Sequence, residues 1–148
     1  MIPSVFRGFS RKFVATCSLA AVVCITAVTN VAAEEAASVD DKQAKGMQLI
    51  GKLLAGTEAG GTPLPERFTR YTVEHLFGDV WQGDDLSLQD RSFITCVTLI
   101  ALNREAEMRL HFVGAKNVGV PREKLEAAIT HVVHYAGWPV GMTALKVL

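Results

Sequence analysis

The sequence predicts an all-α protein: a single-domain bundle of about six helices that follows a short export leader. Three observations carry the fold class. Apolar residues recur at three- and four-residue spacing in successive segments, Gly and Pro punctuate the stretches between them, and no run shows the strict alternation of a half-buried strand.

The chain begins with Arg7, Arg11 and Lys12 and no acid in its first twelve residues, followed by an apolar run from Phe13 to Ala33 that ends in Val31-Ala32-Ala33. A basic start, an apolar stretch and small residues before Glu34 make the layout of a secretory signal peptide, with cleavage expected after Ala33. The run is long enough to cross a bilayer. Its Ala and Thr content and its small-residue end favour cleavage over a retained anchor, so residues 34–148 are expected in the periplasm or outside the cell, with no stable membrane insertion. The leader removes three cations and no acid from a chain with 15 basic and 15 acidic residues. What remains carries a net charge of about −3 with neutral histidines. Such a balance offers nothing to attract nucleic acid. Cys17 and Cys24 leave with the leader, so Cys96 has no partner for an internal disulfide.

Met47, Ile50, Leu53 and Leu54 predict a first helix from about Asp40 to Ala55. Gly56 to Pro65 holds three glycines and two prolines, which make a loop. Pro65 opens a second helix whose apolar side, Phe68, Tyr71, Val73, Leu76, Phe77 and Val80, runs up to Trp81. Gly83-Asp84-Asp85 is a break, and Ser87-Leu88-Gln89-Asp90 sets a hydroxyl cap three residues before an acid, near the capping-box pattern. The third helix starts there. With Phe93, Ile94, Val97, Leu99, Ile100 and Leu102 it is apolar on most sides and is expected to be the buried central helix. A fourth runs from Arg104 to about Lys116 and ends at Asn117-Val118-Gly119, a sequence suited to a left-handed cap. Pro121 opens the fifth, with Leu125, Ala128, Ile129, Val132 and Val133 inward, and Gly137 stops it. Pro139 starts a short last helix to Leu148.

Glu107 and His111 stand four apart on the fourth helix and share a face, where a carboxylate can hold one imidazole nitrogen and leave the other free. Gly114, one turn on, lets a ligand or a neighbouring helix approach. The same spacing also describes a surface ion pair or a satisfied core histidine. On the third helix Arg91, Thr95 and Thr98 make one polar stripe. A partly buried arginine demands an anion, either an internal acid such as Asp90 or Glu107, or the carboxylate of a substrate. His131 and His134 share a face of the fifth helix, and Tyr135-Ala136-Gly137-Trp138-Pro139 adds aromatic walls and a turn. His131 suits a pocket. A metal site would need further ligands at recognisable spacing, and none is expected. Cys96 lies in the most apolar helix, where a thiol behaves as a small hydrophobe whose pKa rises.

Leu86-Ser87-Leu88-Gln89-Asp90-Arg91-Ser92, then Glu107-Met108-Arg109-Leu110-His111, then His131 to Pro139, in that order and spacing, resemble the carboxymuconolactone decarboxylase family over about residues 42–148. The resemblance implies an all-helical fold of the alkylhydroperoxidase type, assembled as homo-trimers or homo-hexamers. One branch of the family reduces peroxides with Cys-x-x-Cys-x-x-x-His. Counting back from His111 puts Glu107 and Arg104 at the cysteine positions, so both the nucleophilic thiolate and its resolving partner are missing, and a peroxidase or peroxiredoxin function would be a family label only. The decarboxylase branch, with Glu-x-x-x-His, resembles this chain better. It implies loss of CO2 from a small carboxylated lactone such as 4-carboxymuconolactone, without metal or organic cofactor. By that resemblance His111 is the proton donor or oxyanion partner, Glu107 holds its tautomer, Arg91 grips a substrate carboxylate, and His131 supplies a second polar contact. Tyr135, Trp138 and Thr95 would contact the substrate. Because export would part the enzyme from an intracellular intermediate, the alternative expectation is a non-catalytic exported helical oligomer that binds a small ligand or a partner.

Overall fold

The computed structural model describes residues 38–57 and 63–148; the leader expected at residues 1–33 lies outside them. Among the described residues the elements are α1 (38–53), α2 (Glu66–Arg70), a π-helical stretch Tyr71–Phe77, a 3-10 turn Val80–Gln82, α3 (Leu88–Ala101), α4 (Glu105–Asn117), α5 (Arg122–Ala136) and α6 (Trp138–Val147), with no strand. The all-α prediction holds. No helix among the described residues is long and apolar enough to cross a membrane.

Local chemistry sets the boundaries. At the start of α3, Ser87 Oγ accepts the Asp90 N–H at 3.1 Å and donates to the Asp90 carboxylate at 2.6 Å, fixing the helix where the sequence placed it. Asn103, at φ 52°, turns the chain between α3 and α4, and Gly119 and Gly137, at φ 90° and 95°, take the left-handed geometry that ends α4 and α5.

From Asp40 onward the chain forms one unit, in which α3 packs on α4 and α5, α5 on α6, and α6 on α4 and α3. Cys96 and Ile100 of α3, Met108 and Ala115 of α4 and Ala144 of α6 are fully shielded at the centre. These side chains hold the bundle together, each large one contributing about 1.5–3 kcal/mol through burial. The expectation that α3 is buried on most sides needs correction. Its neighbours cover the side of Ser92, Cys96 and Ile100, whereas Ile94 is 48% exposed.

The second helix also differs from the expectation of one regular element up to Trp81. After one turn of α-helix it widens into the π-helical stretch, which Gln82 closes by donating to the Phe77 carbonyl at 2.8 Å. Val73 is its buried residue, while Tyr71 and Leu76 face outward. The widened stretch lies against the backbone of α1. A Cβ on Gly46 would sit 2.0 Å from the Val73 carbonyl oxygen, and one on Gly78 would sit 2.1 Å from that of Lys42. Only glycine permits that approach at either position.

Candidate active site

His111 lies midway along α4, one turn after Glu107 and about one before Gly114. Gly114 admits a neighbouring helix: a Cβ there would stand 3.3 Å from the Leu53 carbonyl oxygen of α1. One turn further, Asn117 Nδ2 donates to the carbonyls of Leu53 and Ala55 at 3.0 and 2.9 Å, satisfying the end of α1. The histidine is therefore seated between α1 and the body of the bundle. Behind it, Cys96 donates from Sγ to the His111 carbonyl at 3.4 Å.

This half-buried setting fixes protonation. Desolvation lowers the His111 pKa below its ordinary 6.5, against the opposing pull of the Glu107 charge, so the imidazole is neutral at neutral pH. Burial likewise pushes the Cys96 thiol up to about 12. Cys96 is 0% exposed and stays a thiol, a core residue as its apolar neighbours predicted.

Glu107 does not clasp the imidazole, as the resemblance implied. Its carboxylate turns back to Arg104, three residues earlier, and this hydrogen bond holds the carboxyl below its usual range. The guanidinium is a permanent cation with fixed donors, whereas the imidazole beside it is neutral, so the stronger partner takes the carboxylate. Glu107 acts on His111 through charge alone.

Arg91 has its anion, but neither of those named from the sequence. Its side chain is 12% exposed, pairs with Asp85 and donates to the Gly83 carbonyl at 2.9 Å. The Gly83-Asp84-Asp85 break thus folds over the first turn of α3. Asp90 is meanwhile occupied by Ser87 and faces Lys124 at 3.8 Å. The Arg91 Nε is buried with no hydrogen-bond partner among the described residues. Thr95 and Thr98 donate to the carbonyls of Arg91 and Ile94, both at 2.9 Å, so the stripe's hydroxyl protons are used within the helix.

The aromatic end of α5 is an outer face among the described residues. Tyr135 is 81% and Trp138 68% exposed. His131 lies 5.1 Å from the Tyr135 ring and His134 lies 6.2 Å from the Trp138 ring, centroid to centroid. Among the described residues, the side chains that project from the last turn of α5 and the first of α6 have no further element above them. The sequence-predicted residues therefore fall into three groups: Glu107 with His111, Arg91 with Thr95, and the aromatic end with His131. No hydrogen bond or ion pair among the described residues links one group to another. Arg104 was missed as the partner of Glu107, although its three-residue spacing was a usable signal. The Cys96 bond to the His111 carbonyl joins two helices and had no local signal.

The profile of the carboxymuconolactone decarboxylase family matches residues 66–148, which takes in the π-helical stretch and every later element. With its all-helical fold and the Glu107–His111 face inside that match, the chain belongs to the carboxymuconolactone decarboxylase family. It is 35% identical over 78 residues to a 4-carboxymuconolactone decarboxylase of Acinetobacter baylyi, a match covering 53% of this chain and 58% of that protein. It is 31% identical over 86 residues to nitrosuccinic acid decarboxylase npaB of Metarhizium robertsii, covering 58% of this chain and 60% of the relative. The chain spans about three fifths of the length of these curated relatives.

Proposed function

We propose that the chain is a cofactor-independent carboxy-lyase acting on a small carboxylated unsaturated substrate, with a lactone such as 4-carboxymuconolactone as the leading candidate. The observation that carries the proposal is the α4 face, where a half-buried neutral His111 stands one turn from Glu107. Membership of the family and the two relatives named as decarboxylases support it.

Carbon dioxide leaves easily when the electron pair of the broken C–C bond spreads into an unsaturated carbonyl, so negative charge develops on that oxygen and carbon then takes a proton. A neutral imidazole N–H can donate to the developing oxyanion. The lowered pKa of His111 makes imidazolium scarce at neutral pH, which favours the oxyanion-partner role over the proton-donor role. Water at the exposed side of the ring then supplies the proton. Glu107, held by Arg104, keeps a negative charge near the ring that favours its protonated form and so opposes the desolvation that keeps it neutral.

Arg91 holds the 83–85 turn on α3, and it meets a substrate carboxylate in this scheme by exchanging Asp85 for it. His131, Tyr135 and Trp138 join the scheme through assembly, a second copy in a trimer or hexamer covering the exposed aromatic end. Cleavage after Ala33 delivers the domain to the periplasm or outside the cell. A second reading, a non-catalytic ligand-binding oligomer, is favoured by one observation: Arg91 and Glu107 are already engaged by Asp85 and Arg104.

The test is incubation of residues 34–148, dialysed against chelator, with 4-carboxymuconolactone and related carboxylated unsaturated lactones while CO2 release is followed. Turnover without added cofactor is expected. Saturable binding of these compounds with no CO2 release would overturn the lyase proposal in favour of the binding one.

A further inference from the structure

A cavity of about 490 Å³ opens on the side of α4 turned away from His111. Arg109, Phe112, Val113 and Lys116 line it at helical spacing, about half a turn round from the histidine. Its floor is Phe112, Val120 and Leu125, all buried, and Val147 at the end of α6 closes one wall with Leu148 just after it. Arg109, Lys116 and Arg122 stand at its rim, and among the described residues no Asp or Glu side chain lines it.

Two of these cations are committed. Arg109 is held by Glu105 at 2.5 Å, and Arg122 by Glu126 at 2.8 Å and a main-chain oxygen of Leu148 at 2.6 Å. Lys116 is exposed and pairs with no acid among the described residues. The N-terminus of α5 opens on the same rim at Pro121 and Arg122, with no side chain capping it. Its first N–H groups and the positive end of the helix dipole add to the field of Lys116.

We infer that this cavity binds a small amphipathic organic carboxylate, its apolar body on the Phe112–Leu125 floor and its carboxylate between Lys116 and the start of α5. The volume falls in the range of about 300–1,000 Å³ common to small-molecule sites. Neither His111 nor Glu107 lines the cavity, so the site is separate from the proposed reaction centre and does not rest on the lyase proposal.

Calorimetry with octanoate, with octan-1-ol as the uncharged control, tests the inference. Octanoate is expected to bind saturably to the wild-type protein, and octan-1-ol about tenfold more weakly or worse. Lys116→Gln should weaken octanoate by about tenfold and Lys116→Glu further, both with wild-type circular dichroism, since the side chain is exposed. His111→Ala should bind octanoate as the wild type does. Equal affinity for the acid and the alcohol, indifference to both Lys116 variants, loss of binding in His111→Ala, or no saturable binding by the wild type would each overturn it.

Discussion

Burial keeps two neighbouring groups uncharged by moving their pKa values in opposite directions. Cys96 and His111 meet through the bond from Sγ to the histidine carbonyl, and the thiol is raised to about 12 while the imidazole falls below 6.5. For His111 the unfolded chain binds the proton more tightly than the folded one. Its contribution to stability is therefore complete above the unfolded value of 6.5 and is lost as pH falls from there through the folded value. Melting at about pH 7.5 and about pH 5.5 should show a larger acid loss in the wild type than in His111→Gln; equal losses would place the shift elsewhere. For Cys96, a thiol reagent should leave the native protein unmodified and label it only on denaturation. Rapid labelling of the native fold would contradict the shielded thiol. The Glu107–His111 face and the core position of Cys96 were legible because helical spacing and apolar neighbours are local properties. The actual partners of Glu107 and Arg91 were harder to read. Spacing allowed Glu107 two partners, and charge strength chose Arg104; Arg91 found Asp85 in a turn whose path no periodicity records.

At the scale of elements, the caps at Ser87, Gly119 and Gly137 are written in single residues and formed where the sequence placed them. The π-helical stretch is not. Its apolar positions suit an ordinary helix, and the widening shows only in the seat it makes against α1. Gly46 carries that contact, so Gly46→Ala should cost about 2 kcal/mol or more by forcing the two backbones apart. Gly51 lies on the same helix with nothing within 4 Å of where its Cβ would be. Gly51→Ala should instead stabilise by up to about 1 kcal/mol, through helix propensity. Urea titration of both variants checks the pair, and shifts of the same sign would remove the glycine contact from the account.

For the whole molecule, the class of the fold was legible, because the helices among the described residues show their period, the widened second one included, and most show their stops. The exposed end was not. Tyr135, Trp138 and Met142 are each more than 60% exposed; sequence reading took Tyr135 and Trp138 for pocket wall because nothing in the pattern tells a wall from an outer face. The proposed assembly predicts that light scattering will find three or six chains, and that Trp138→Asp will yield smaller species. A monodisperse single chain for the wild type would leave His131, Tyr135 and Trp138 without a role at the site. The most direct test of the central claim compares CO2 release from 4-carboxymuconolactone by the wild type and by His111→Ala, with folding matched by circular dichroism. The account predicts a fall in kcat of about a hundredfold or more with KM little changed; equal rates for the two proteins would contradict it.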